Sequence, residues 1–145
     1  MDFEVIREPW NKYSLKEGPS LNLRFILLKI RKVEQLNPDG TAAKTGYEVE
    51  GQTLQTISNV PENLKGQPDT SSYTPQELQT AIVADDVTVD TLAEEWNDYV
   101  SEDGAKIRVK NSVVSASRTS KFDKNGEPIY ILASSQQVAM KPKKP

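Results

Sequence analysis

The chain has 145 residues, 36% hydrophobic and 27% charged, with a formal net charge of −3. It contains neither Cys nor His. That excludes a disulfide framework and thiolate ligation, and it removes both the usual neutral-pH general base and the commonest zinc ligand. Two Trp, five Tyr and three Phe supply core anchors, so wholesale disorder is not expected.

The N-terminus, Met-Asp-Phe-Glu-Val, lacks the basic-then-apolar layout of a signal peptide. Phe3 to Arg7 reads as a first strand, broken by Pro9 and the Trp-Asn-x-Tyr turn. Glu17-Gly18-Pro19 marks a tight reversal. Leu21, Leu23, Phe25 and Leu27 then alternate with Asn22, Arg24, Ile26 and Leu28, which predicts a strand that becomes buried on both faces. Phe25 to Leu28 is the longest aliphatic-aromatic run and is far too short to cross a bilayer, so a soluble protein is expected. Asn37-Pro38-Asp39-Gly40 predicts a hairpin turn, with return strands at Tyr47–Val49 and Leu54–Val60.

Residues 61–75 hold three Pro, a Gly and a Ser-Ser pair and read as a linker. Thr74, Pro75 and Glu77 form a capping-box signature. They predict a helix whose apolar face is Leu78, Ala81 and Ile82 and which ends near Asp85-Asp86. The spacing of Leu92, Trp96 and Tyr99 behind Asp90 predicts a second helical turn. A strand over Lys106–Val114, a turn at Asn125-Gly126 and a strand over Ile129–Met140 follow, then a Lys-Pro tail.

An internal repeat links the two ends of the chain. Trp10, Asn11 and Tyr13 match Trp96, Asn97 and Tyr99 at an offset of 86 residues. At the same offset Glu17-Gly18 matches Asp103-Gly104, and Gly40 matches Gly126. Leu21, Leu23, Leu27 and Leu36 match Ile107, Val109, Val113 and Phe122. Tyr47 and Tyr130 align if the first copy carries three extra residues. Identity is low over this stretch, but the only two tryptophans are among the matches.

The expected fold is therefore mainly β. Two related β-meander modules, barrel- or sandwich-like, flank a short helical insert: 1–61 first module, 62–90 linker and insert, 91–140 second module, 141–145 tail. A shared core is expected, because modules this small are marginal alone. Trp10, Tyr13, Gly18, Gly40, Trp96, Tyr99, Gly104 and Gly126 are its structural anchors, and the two tryptophans are expected to be core residues.

Carboxylates are the only plentiful acid–base groups, clustered at Asp85-Asp86, Glu94-Glu95 and Glu102-Asp103. Sequence neighbours splay apart on a helix or strand, so such doublets suit a solvated face better than a catalytic dyad. Asp85, Asp86 and Asp90 offer oxygen ligands but match no calcium loop, and phosphate-cradling motifs are missing. No catalytic, metal-binding or cofactor-binding residue is expected.

Charge is unevenly distributed. Residues 1–61 balance, with eight bases and eight acids. Residues 62–104 carry one base against eleven acids, and residues 105–145 carry nine bases against two acids. Lys106, Arg108 and Lys110 are spaced to share one strand face. With Arg118, Lys121, Lys124, Lys141, Lys143 and Lys144 they are the expected partner-binding surface. The leading expectation is a non-enzymatic assembly protein that self-associates or sits in a larger particle, such as a viral or phage structure. The alternative is a nucleic-acid-binding β-barrel accessory protein. A carboxylate enzyme acting on polysaccharide is the third.

Overall fold

A computed structural model describes residues 1–143, with residues 35 and 42–45 described by backbone alone. The elements in chain order are β1 (Phe3–Arg7), β2 (Asn11–Leu15), β3 (Ser20–Leu36), β4 (Ala42–Ser58), a single 3-10 turn (Glu62–Leu64) and α1 (Pro75–Thr80). Then come β5 (Ile82–Val87), β6 (Val89–Ala93), β7 (Asn97–Ser101), β8 (Lys106–Phe122) and β9 (Pro128–Lys141). One sheet runs β4-β3-β2-β6. The other runs β1-β7-β8-β5, with β9 along the opposite edge of β8. The described residues are thus mainly β, with one short α-helix among them. Among the described residues neither sheet closes on itself, so of the barrel- or sandwich-like forms expected, a closed barrel does not form.

Strand bounds repeat with the offset seen in the sequence. Adding 86 carries β1 onto β6, β2 onto β7 and β3 onto β8. Pairing, however, is crossed. β1 joins β7 from the far end of the chain, with Phe3 opposite Ser101 and Val5 opposite Tyr99. In return β6 joins β2, with Thr91 opposite Tyr13 and Val89 opposite Leu15. The segment before each Trp-Asn-x-Tyr therefore crosses to the sheet of the other half.

Burial follows strand period. Asn11, Tyr13 and Leu15 face inward along β2, as do Asn97, Tyr99 and Ser101 along β7. On β3, Leu21, Leu23, Phe25 and Leu27 are buried, and then Ile30. The step from 27 to 30 breaks the period because the ladder with β4 slips between Leu27 and Lys29. This bulge turns Leu28 out to solvent at 59% exposure. The expected two-sided burial there is corrected accordingly. The same slip recurs 86 residues on, between Val113 and Ser115, and leaves Val114 exposed.

Two apolar clusters result, and each draws on both halves. Phe25, Leu27, Ile30 and Tyr47 pack with Tyr99, Ala105, Ile107 and Val109. Tyr13, Leu15, Leu21 and Leu23 pack with Ala116 and Tyr130. Each large side chain buried this way contributes roughly 1.5–3 kcal/mol, and it does so only while both halves are in place.

Residues 89–93 form strand β6, so the second helical turn expected behind Asp90 does not exist. Pairing with β2 overrides the helical spacing of Leu92 and Trp96, and Leu92 is left 66% exposed. The capping box at α1 is present, with Thr74 Oγ1 accepting from Glu77 N–H and Glu77 Oε1 from Thr74 N–H. The helix ends at Thr80, short of Asp85-Asp86, because residues 82–87 enter the β8 sheet as β5. The return strands expected at Tyr47–Val49 and Leu54–Val60 are one continuous β4. The four glycines singled out in the sequence are those with positive φ. At Gly18 (φ +121°) a Cβ would also sit 2.6 Å from Pro61 Cγ, so both backbone and space require glycine.

Candidate functional site

The polar centre of the molecule lies where the halves cross. Glu8, at the exit of β1, accepts at Oε2 from Tyr99 Oη (2.7 Å) and from Leu27 N–H (2.9 Å), with Arg24 at 3.8 Å. Eighty-six residues on, Glu94 accepts at Oε2 from Tyr13 Oη (2.8 Å) and at Oε1 from Ser112 Oγ (2.7 Å), with Lys110 at 3.9 Å. Each carboxylate therefore receives the tyrosine of the opposite half. The asparagines beside the tryptophans do the same: Asn11 Nδ2 donates to Asn111 O, and Asn97 Nδ2 to Phe25 O.

A second reciprocal pair uses the turn acids. Asp103 accepts from Tyr47 Oη at 2.7 Å and lies 3.5 Å from Lys32. Glu17 accepts from Tyr130 Oη and lies 3.0 Å from Arg118. Tyr47 stands opposite Lys32 in its ladder and Tyr130 opposite Arg118. Lys32 and Arg118 are themselves 86 apart, so slips near the hairpin ends absorb the three-residue difference between the tyrosines.

Burial and then the facing carboxylate raise the phenols of Tyr13 and Tyr99 well above the ordinary tyrosine range, and Tyr130 likewise through Glu17. Hydrogen bonds from Ser101 and Tyr47 hold Asp103 well below the usual carboxylate range. These phenols are locked as donors, an arrangement suited to clamping two halves together.

Neither tryptophan belongs to an apolar cluster, which corrects the expectation that they are core anchors. Each precedes an inward-facing Asn by one residue, and strand alternation turns it outward. Trp10 is 36% exposed with the Arg24 guanidinium 6.0 Å from its ring centroid. Trp96 is half-buried beneath Arg108 (4.9 Å) and Lys110 (5.9 Å), a cation–π arrangement.

The basic residues named from the sequence fall into separate groups. Arg108 pairs with Asp98 at 2.7 Å, and Lys110 lies against Glu94. Arg118 belongs to the Glu17 clamp. Lys121 covers the ring of Tyr73 at 5.2 Å, and Lys124 sits in the β8–β9 turn. Lys106 and Lys141 stand opposite each other across β8 and β9, and with Lys143 they border a shallow pocket beside Gly104. Lys106, Lys141 and Lys143 have no ion-pair partner among the described residues. Lys144 lies outside the described residues.

Asp85, Asp86 and Asp90 are exposed around the β5–β6 junction. Asp85 accepts from Ser117 Oγ at 2.9 Å, and Asp86 takes a positive φ of 50°. Among the described residues no group of three or more acids is arranged to hold a metal ion, and no helix is long and apolar enough to cross a membrane. Glu8 escaped sequence reasoning and Glu94 was read only as part of a solvated doublet, although the 86-residue offset links them two positions before each tryptophan. No protein-family model, curated protein or solved structure matches the chain.

Proposed function

We propose that this protein is a non-enzymatic assembly subunit, built from a duplicated β module whose two copies exchange their first strands within one chain. The repeated strand bounds, the matching bulges and the reciprocal clamps Glu8–Tyr99 and Glu94–Tyr13 support the duplication. One observation carries the assembly reading. Lys106, Lys141 and Lys143 form a basic patch near one end of β8 with no ion-pair partner among the described residues, while Asp85, Asp86 and Asp90 form an exposed acidic turn. A surface that carries both partners of a charge pair at different places joins copies head to tail rather than closing on itself. Glu8, Glu94, Glu17 and Asp103 each accept a tyrosine hydroxyl from the other half of the chain and are committed to holding the halves together.

Light scattering behind a sizing column, at low and at high salt, tests this. The expected result is a mass several times the 16.2 kDa chain that falls as salt rises. It should also fall on charge reversal at Lys106, Lys141 and Lys143. A single-chain mass at both salts overturns self-association. If that monomer binds single-stranded DNA in a salt-sensitive way, the same lysines pass to the nucleic-acid reading.

A further inference from the structure

The halves are not dressed alike. On β8, the edge beyond β7 is filled by β5, which runs antiparallel with Ile82 opposite Thr119, Ala84 opposite Arg118 and Val87 opposite Ala116. The residues before β5 wrap the tip of the β8–β9 hairpin. Gly66 N–H donates to Gly126 O and Asp69 N–H to Asp123 O, and Gly66 lies flat against the Phe122 ring. On β3 the corresponding positions are Val33, Lys32 and Ile30. The β2 pairing stops at Leu23, and no strand among the described residues takes the place of β5. Leu36, the counterpart of Phe122, is 65% exposed.

We infer that the edge of β3 over residues 28–36 is a strand-addition site for an extended acidic–apolar segment of a partner protein, docking antiparallel as β5 docks on β8. Two correspondences argue that the same geometry is available. Ile30 and Ala116 are both fully buried, and Lys32 and Arg118 both reach a turn acid of the opposite half. The backbone along β3 therefore follows the course that receives β5.

Side chains on the bare edge specify the chemistry of the occupant. Where β8 offers Ser117 to Asp85 at 2.9 Å, β3 carries Arg31. An acidic residue at the Asp85 position of an incoming strand meets a guanidinium, with Lys29 and Lys32 close by in the strand. Among the described residues Arg31 pairs with Glu48 alone, at 3.3 Å, a pair more than half exposed on both sides and easily exchanged. Pairing of two β3 edges from two copies would bring Lys29, Arg31 and Lys32 of each near one another with only one Glu34 apiece to offset them, so the net charge favours an acidic strand over a second β3.

This inference goes beyond the assembly reading and does not depend on self-association. Its test employs the full chain and a fluorescein-labelled synthetic peptide with the sequence of residues 80–89, which includes β5. The expected result is saturable binding by fluorescence anisotropy, with slowed hydrogen exchange of the amides of residues 28–36. A peptide carrying Ala84→Pro and Asp85→Pro cannot present two successive backbone donors and should bind at least about tenfold more weakly. Arg31→Glu in the full chain should weaken binding of the unmodified peptide.

No saturable binding, or equal binding by the proline peptide, overturns the site. So does protection that appears on residues 116–120 with loss over 82–87, since the peptide would then have displaced β5 from β8. A dimer that forms through β3 and excludes the peptide overturns it as well. The mass of the chain without peptide separates the two proposals. A single-chain mass with protection on β3 removes self-association and leaves the edge site standing.

Discussion

Replacing Tyr99 by Phe removes one hydroxyl from the centre of the crossing and leaves the ring in its apolar cluster. Glu8, only 8% exposed, then loses its 2.7 Å donor and retains Leu27 N–H at 2.9 Å and Arg24 at 3.8 Å. Asn97 Nδ2 loses an acceptor but keeps Phe25 O. A hydrogen bond to a charged group contributes about 1.5–3 kcal/mol, and the remaining donors moderate the loss, so Tyr99→Phe should cost about 2 kcal/mol. For a chain of this size that lowers the melting temperature by roughly 4–8 °C.

Tyr13→Phe is the internal comparison. Its acceptor Glu94 is 17% exposed and keeps Ser112 Oγ at 2.7 Å, so its cost should be smaller, about 1 kcal/mol. The two clamps share no hydrogen-bond partner, and the double variant should lose about 3 kcal/mol, the sum within about 0.5 kcal/mol. Urea unfolding followed by tryptophan fluorescence measures all three. A Tyr99→Phe cost below about 0.5 kcal/mol, or below that of Tyr13→Phe, would refute the view that the buried clamps hold the halves together.

Alkaline pH attacks the same features from another side. Folding raises the phenols of Tyr13, Tyr99 and Tyr130, so the stability they contribute is complete below the ordinary tyrosine value of about 10 and is lost as pH rises beyond it. Tyrosinate absorbance should show these three ionising only as the chain unfolds, and free titration near pH 10 in the folded protein would contradict the clamps. Among the turn glycines, Gly18→Ala should destabilise more than Gly40→Ala, by about 1–3 kcal/mol against about 1. Both have positive φ, but only Gly18 faces Pro61, while a Cβ at Gly40 meets nothing within 4 Å. Urea midpoints that rank the pair the other way would remove the steric argument.

The glycine turns, the alternating start of β3 and the 86-residue offset were legible because each rests on local chemistry: Gly at a positive φ, apolar alternation, and matching aromatic residues at fixed spacing. By contrast, β4 and β8 run well past the stretches expected for them, and Asn11–Leu15, expected within a turn, is a strand. What the sequence could not display is which strand pairs with which. β1 and β6 look like the opening strands of their own meanders, and only the register shows that each is bound by the opposite half. Trp96 misled twice, once as part of a helical stripe and once as a core residue. A five-residue strand placed by pairing does not need a period of its own, and a Trp one step before a buried Asn must face outward. The clamps were half visible: Tyr13, Tyr99, Glu17 and Asp103 stood in the repeat, whereas Glu8 and Glu94 lay just outside its most conspicuous letters.

The mixed composition of each apolar cluster has a consequence for synthesis on the ribosome. Phe25, Leu27 and Ile30 are covered by Tyr99, Ala105, Ile107 and Val109, which follow some seventy to eighty residues later in the chain. At roughly 5–20 residues per second, the first hairpin waits on the order of 4–16 seconds with its apolar face uncovered. Its first half therefore cannot complete its packing as it emerges, and this ordering of long-range contacts makes folding slow. During that interval the nascent chain depends on whatever shields a bare hairpin, and crowding among ribosomes translating the same message exposes one unfinished copy to the late strands of another.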